Sequence, residues 1–399
     1  MKHPINSLRM DKVKPSATLA MSAKAKAMKA AGVDVCILSA GEPDFPTPQC
    51  IIDHAFDAAN KGATRYTPSR GTPDLVEAMQ EKLKRDQGVD YAGDEVIATV
   101  GTKGAISLAL DALVGEGDEV IIIGPYWVTY PTLVELAGGT PVVVTTTADA
   151  GFKPSIEDVQ AKISSRTRAI IINTPGNPTG VGLDKAFLTS LTGLLEGTDI
   201  WLLSDEIYER LTYDRFEHVS PAALSDDAKD RTLYLGGVAK AYAMTGWRLG
   251  VAAGPKQAIS AMLLLQQQRL SCPTSISQAA AAYALREPPE VVSALLEMQN
   301  AFTDRRVKAL AALREIKGLK VQAPEGSFYM FVDASAYLGG EVKDDLELTR
   351  RLLEEKHVAL VPGTPFGAPG GFRLSFAASQ ETLDKGIERI SSFFATLDK

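Results

Sequence analysis

The sequence predicts an α/β protein: a large unit on a mostly parallel, seven-stranded sheet covered by helices, with a smaller α+β unit beside it. Three observations predict it. Short runs rich in Val, Ile and Leu recur from about residue 95. Helix-forming stretches separate them, and strands this uniformly apolar belong in a sheet buried on both faces. After about residue 255 the pattern changes to long helices and then to a second set of strands.

In chain order, residues 1–15 read as a mixed-charge arm. "PSATLAMSAKAKAMKAAG" reads as a helix: Ser16 is the cap, the alanines favour helix, and Gly32 is the stop. "VDVCILSA" is a short strand. "EVIATV" is a strand followed by a helix from about Lys103 to Val114, and "DEVIIIG" a strand followed by a helix near Thr129–Ala137. "PVVVTT" is a strand, and "SIEDVQAKI" a helix with Ser155 as cap and Asp158 three residues on. "RAIIINT" is a strand with a helix over about 184–196 after it; "IWLLSDE", "TLYLGG" and "RLGVAAG" are three more strands. The last long helix ends near Lys317, before Gly318. "KVQA", "FYMFVD", "VALVPG" and "FRLSFA" are strands, with helices at about 345–355 and 379–395. The expected division is an arm at 1–15, a small domain from 16–45 and 295–399, and a large domain over 46–294.

Composition narrows the function classes. A net charge of −7 and the absence of a basic tail argue against nucleic acid or an anionic membrane as partner. No stretch reaches the roughly 18 consecutive apolar residues of a membrane-spanning helix, and the N-terminus lacks the apolar run of a secretory signal. The three cysteines and four histidines are scattered, so neither a disulfide framework nor a metal site is expected, and the cytoplasm is the expected location.

Ligands of open α/β sheets bind beyond the carboxyl ends of the strands. There the sequence places Gly101-Thr102-Lys103-Gly104, then Pro125-Tyr126-Trp127, then Pro175-Gly176-Asn177-Pro178-Thr179-Gly180. Asp205-Glu206-Ile207-Tyr208 and Lys240 follow. "GTKG" lacks Walker spacing. The set suits a flat aromatic cofactor carrying a phosphate, a ring nitrogen and a carbonyl: helix N–H groups for the phosphate, an acid for the nitrogen, a tryptophan to stack and a lysine to condense. Pyridoxal 5′-phosphate (PLP) has each of these parts. Taken singly, each residue also has an ordinary reading: a loop lysine, a helix-capping aspartate, a core tryptophan.

"AGEPDFPTP", "NPTG", "SDEIY" and "AKAYAMTGWR", in this order, resemble the fold-type-I, class I aminotransferases, and most of all the bacterial aspartate aminotransferase subgroup with "KPSAT". The resemblance covers essentially the whole chain. It implies that Lys240 bonds to PLP and then carries the proton between the substrate Cα and the cofactor. Asp205 would pair with the ring nitrogen, and Tyr208 and Asn177 would donate to the ring oxygen. Trp127 would stack on the ring. Gly101, Thr102, Lys103 and Arg248 would hold the phosphate, with Tyr66 reaching in from the neighbouring subunit of a homodimer. Arg373, inside an apolar strand, would grip the substrate α-carboxylate with Asn177 beside it and Gly41 leaving room. Lys103, with Ser16 and Thr18, would meet a distal carboxylate.

The activity so implied is ping-pong transamination of amino acids and 2-oxo acids, with aspartate and 2-oxoglutarate leading. Prephenate is a further acceptor, for which Lys12 and Lys14 are available. Another PLP reaction, such as β-elimination, would use the same cofactor residues. Two positions depart from relatives. Gly237 stands where many carry a phosphate-binding serine, so one phosphate bond is expected to be missing. Arg269 lies near the segment where another aspartate subgroup places its side-chain arginine, and it receives no role.

Overall fold

The computed structural model describes residue 13 and residues 17–397. The rest of the arm expected at 1–15, with Lys12 and Lys14, lies outside the described residues, as do Ser16 and the side chain of Thr18. The elements are α1 (Ala17–Ala30), β1 (Cys36–Ile37), α2 (Gln49–Asn60), α3 (Pro73–Gln87), β2 (Val96–Thr99), α4 (Gly101–Leu113) and β3 (Glu119–Ile123). Next come α5 (Tyr130–Leu136), β4 (Thr140–Val144), α6 (Ile156–Gln160), β5 (Thr167–Asn173), α7 (Lys185–Leu195), β6 (Trp201–Asp205), α8 (Asp226–Arg231), β7 (Thr232–Gly237) and β8 (Gly250–Ala253). The chain continues with α9 (Lys256–Arg269), α10 (Ser275–Arg286), α11 (Pro289–Arg314), β9 (Lys320–Val321), β10 (Tyr329–Asp333) and α12 (Asp345–Lys356). It closes with β11 (Val358–Ala359), β12 (Val361–Pro362), β13 (Gly371–Ser375) and α13 (Gln380–Phe394).

Seven strands form the central sheet in the order β2-β8-β7-β6-β5-β3-β4. Strand β8 is antiparallel to both its neighbours and the other pairings are parallel. The strands are apolar along their length because both faces are covered. On β5, Ala169 and Ile171 enter one core with Ile106 and Leu110 of α4. Ile170 and Ile172 enter another with Leu188 and Leu191 of α7. That is the period of two expected for a strand between layers. Each such buried isoleucine is worth roughly 1.5–3 kcal/mol.

An antiparallel sheet, β12-β13-β10-β9, and a parallel pair, β1-β11, make up the remainder. Cys36 pairs with Val358, which joins the N-terminal segment to the C-terminal part. "VALVPG" is two strands rather than one. Val358–Ala359 pairs with β1 and Val361–Pro362 with β13, so the chain changes sheets at the buried Leu360. Helix α11 stops at Arg314, short of Lys317, and α4 starts at Gly101, ahead of Lys103. Helices α2 and α3 fill a region that had received no assignment. Along α11 the core partners change: Val291 packs with α2 and α3, Met298 and Phe302 with the C-terminal strands, and Leu295 against both groups.

Candidate active site

The parallel strands end along one edge of the sheet, and there a cleft of about 290 Å³ opens. Its lining includes Gly41, Thr102, Lys103, Trp127, Asn177, Asp205, Tyr208, Lys240, Arg248 and Arg373. Sequence reasoning had named each of these.

Helix α4 begins directly after β2, with Gly101 at φ 70°. Its cap, Val100, supplies no side-chain hydrogen bond, so the first-turn N–H groups are open to an anion. Thr102 Oγ1 donates to the Gly236 carbonyl at 2.7 Å and ties this turn to β7. The Arg248 guanidinium lies against the turn: a Cβ at Gly101 would stand 2.6 Å from its Nη2. Arg248 Nη1 donates to the Thr245 carbonyl at 2.9 Å. Gly237 has a packing reason to be glycine, since a Cβ there would come within 2.9 Å of Gly250 Cα and the Leu249 carbonyl.

Asp205 ends β6 and is buried. Its Oδ2 accepts from the Tyr130 hydroxyl at 2.6 Å and its Oδ1 from the Ile207 N–H at 3.2 Å. Burial pushes its carboxyl up from 3.8 to about 6, against the pull of these two donors. The unfolded chain releases this proton at lower pH than the folded one, so the group's contribution to stability falls as pH rises from about 4 to about 6. In the cofactor-free protein, Asp205→Asn is expected to remove that slope and to add up to about 3 kcal/mol above pH 7. Urea unfolding of both proteins at low and neutral pH tests it; a stability difference that does not change with pH removes the buried charge from the account.

Lys240 follows β7 among buried Val238, Ala241 and Tyr242. Its Nζ donates to the Gly41 carbonyl at 2.5 Å. Burial lowers its ammonium from 10.5 to about 8, and the Glu42 carboxylate opposes that shift. Glu42 is held by Thr245 Oγ1 at 2.9 Å. Asn177 receives its position from Asn173, whose Oδ1 accepts the Asn177 N–H at 2.8 Å while its Nδ2 donates to the Asp205 carbonyl at 2.9 Å.

Arg373 is buried on β13. Its Nη1 donates to Asn177 Oδ1 and its Nη2 to the Ser39 carbonyl, both at 2.9 Å. Its Nε is buried without a hydrogen-bond partner among the described residues. Lys103 Nζ lies 4.9 Å from the Trp127 ring centroid, and burial followed by the nearby Arg248 charge lowers its pKa. Four cations (Lys103, Lys240, Arg248 and Arg373) thus face one cleft whose lining holds one acid, Asp205. Among the described residues none of the four enters an ion pair with a carboxylate. A buried guanidinium without a counter-ion is costly. The arrangement therefore suits a ligand carrying several negative charges.

Other sequence-named positions lie elsewhere. Tyr66 is 91% exposed and outside the cleft. Arg269 pairs with Asp111 of α4. The cleft residues that went unnamed include Tyr130, Asn173 and Tyr329. Asn173 ends β5 and Tyr130 opens α5, in segments already being read, so both were within reach of the same reasoning. His218 is not isolated in space, for its Nε2 is 2.7 Å from Glu206 Oε2. Glu209 joins them within 4.8 Å, and Lys82 already pairs with Glu209.

Comparison with known proteins places these observations. The family model described as "Aminotransferase class I and II" matches residues 33–390. The chain is 46% identical over 386 residues to an aspartate aminotransferase of Bacillus subtilis (strain 168), covering 96% of this chain and 98% of the relative. It is 43% identical over 393 residues to an aspartate/prephenate aminotransferase of Cereibacter sphaeroides, covering 97% and 98%. A solved structure of Thermus thermophilus aspartate aminotransferase with maleate superposes with a TM-score of 0.93 at 42% identity, covering 98% of this chain and 99% of that one.

Proposed function

Because the chain belongs to the class I and II aminotransferases, we propose that it moves the amino group of aspartate to 2-oxoglutarate in two alternating half-reactions, with prephenate as a further acceptor. The observation that carries this reading is the cleft with four cations and no paired carboxylate. One phosphate and two substrate carboxylates would satisfy them. Relatives named for aspartate, and some for prephenate as well, support the choice of substrates.

The family is PLP-dependent, and the residues present fit that group. Gly101 and Arg248 form a cradle that a single Cβ would close, and a buried acid and a lysine of lowered pKa stand behind it. When bound, PLP supplies an aldehyde that condenses with amines and a ring that withdraws electrons from Cα. In this reading the first turn of α4, from Gly101 to Lys103, and Arg248 hold the phosphate. Asp205 keeps the ring nitrogen protonated, because a buried carboxylate favours a cationic partner. Trp127 covers the ring, and Tyr208 and the Asn177 amide donate to its oxygen. Lys240 Nζ would take up the proton of the substrate Cα and release it again; its lowered pKa eases the approach to the neutral amine. Arg373 grips the α-carboxylate, with Gly41 alongside.

Lys103 selects the acidic side chain in this proposal. Lys103→Ala is expected to lower kcat/KM for aspartate by about 10–100-fold and to leave a neutral donor such as alanine within about threefold. Steady-state kinetics with both donors tests it. An equal loss for both would assign Lys103 to the phosphate alone.

The proposal includes a homodimer in which Tyr66 reaches the partner's cleft. The exposed Tyr66 and Phe56, at 91% and 65%, support it; a single-chain mass of 42.6 kDa in sedimentation equilibrium would contradict it. It also includes a small domain, 16–45 with 295–399, that closes over the large one at 46–294. The change of core partners at Leu295 supports that division. Small-angle scattering that shows no compaction on adding substrate would contradict the closure.

A further inference from the structure

We propose that Tyr329 is a positioning residue that couples the arginine at the substrate end of the cleft to the hydroxyl of Tyr208 at its cofactor end. The inference rests on the function proposed above and adds a member to its site.

Tyr329 opens β10 and is 1% exposed, yet it lines the cleft. The register explains its place. Tyr329 pairs with Ser375 and Phe331 with Arg373, so Tyr329 and Arg373 are diagonal neighbours on one face of the sheet. The Arg373 guanidinium carbon lies 4.2 Å from the Tyr329 ring centroid. Its two Nη groups are committed to Asn177 and Ser39, which leaves the ring as a further support. At the other end of the same side chain, the Tyr208 hydroxyl donates to the Tyr329 hydroxyl at 3.3 Å. One residue thus touches both the cation held for a carboxylate and the phenol held for the cofactor.

A cation over the ring makes a phenol a better donor and a poorer acceptor. Hydrogen bonds in series polarise one another in a dry site. With a basic oxygen in front of Tyr208, the Tyr208 proton turns toward it and Tyr329 donates to Tyr208 in its place. The Arg373 charge then strengthens that donation through Tyr329. A carboxylate bound at Arg373 cancels part of the charge and weakens the donation, so filling the substrate end is felt at the cofactor end. The ionisable groups acting on the two tyrosines are Arg373, Asp205 and Glu42, together with each other.

The test uses holoprotein and succinate, an unreactive dicarboxylate. The pH midpoint of the bound cofactor's absorbance change is measured with and without succinate for wild type, Tyr329→Phe and Tyr329→Leu. Wild type is expected to show a midpoint that succinate moves upward. Tyr329→Phe keeps the ring under Arg373 and loses the hydroxyl. Its starting midpoint is expected to lie higher by at least about half a unit. It should move less on adding succinate, whose dissociation constant stays within about threefold of wild type. Tyr329→Leu loses the ring and is expected to weaken succinate about tenfold. A Tyr329→Phe protein that matches wild type in both midpoint and succinate response overturns the inference and leaves the proposed function standing. A wild-type protein without a titrating cofactor band overturns both. If Tyr329→Leu fails to fold, the isosteric Tyr329→Phe comparison decides alone.

Discussion

Lys240→Ala is expected to lower transamination between aspartate and 2-oxoglutarate by more than about a thousandfold, because in the proposed function it would remove a covalent attachment and a proton carrier together. The protein should remain folded. Among the described residues the lysine head group carries no ion pair to lose, and its burial already works against its charge, lowering it to about 8. Its hydrogen bond to the Gly41 carbonyl is the main contact given up. Thermal unfolding close to wild type beside vanishing turnover is therefore the expected pair of results. A purified, folded variant with near-normal turnover would contradict the assignment of Lys240.

Arg373→Leu is expected to lower kcat/KM for aspartate by roughly 100–1,000-fold, the loss of the bidentate charge-assisted grip proposed for it in a dry site. Stability is expected to change little. A buried guanidinium held by neutral acceptors and two aromatic rings is an expensive way to fill space, and an apolar side chain in its place is often neutral or better. Two acceptors, Asn177 Oδ1 and the Ser39 carbonyl, lose a donor and offset part of that gain. Arg373→Lys is not a rescue, since one ammonium cannot serve Asn177, Ser39 and both carboxylate oxygens in the planar pattern of a guanidinium. Kinetics with aspartate and urea unfolding of the same preparations separate the two effects. Loss of stability with unchanged kcat/KM would make Arg373 a structural residue.

The large sheet was legible because burial on both faces forces an unbroken Val/Ile/Leu composition, as at Ile170–Ile172. The cleft was legible because parallel strands end on one edge, so Lys103, Asn177, Asp205 and Lys240 were bound to meet whatever the loops between them did. Arg373 was legible because a charge inside an apolar strand requires a reason.

Other features depend on contacts the local pattern does not carry. Tyr329 comes from a distant part of the chain, and only the β10–β13 register brings it to Arg373. Leu360 gives no local sign that the strands on either side join different sheets. Helices α2 and α3 had signals that went unread, above all Thr72, whose side chain caps α3, and Gly88, whose left-handed conformation ends it. Gly237 looked like a missing ligand. Its closeness to Gly250 supplies a steric reason that a single sequence cannot reveal.

The central claim, a PLP enzyme that accepts an acidic amino donor, is tested most directly by the absorbance spectrum of the purified protein before and after adding aspartate alone. The expected result is a band near about 360 or 430 nm that gives way to one near about 330 nm as the amino group passes to the cofactor. A band that ignores aspartate would contradict the acidic donor and the reading of Lys103. No band, even after PLP is supplied, would contradict the account from Lys240 outward.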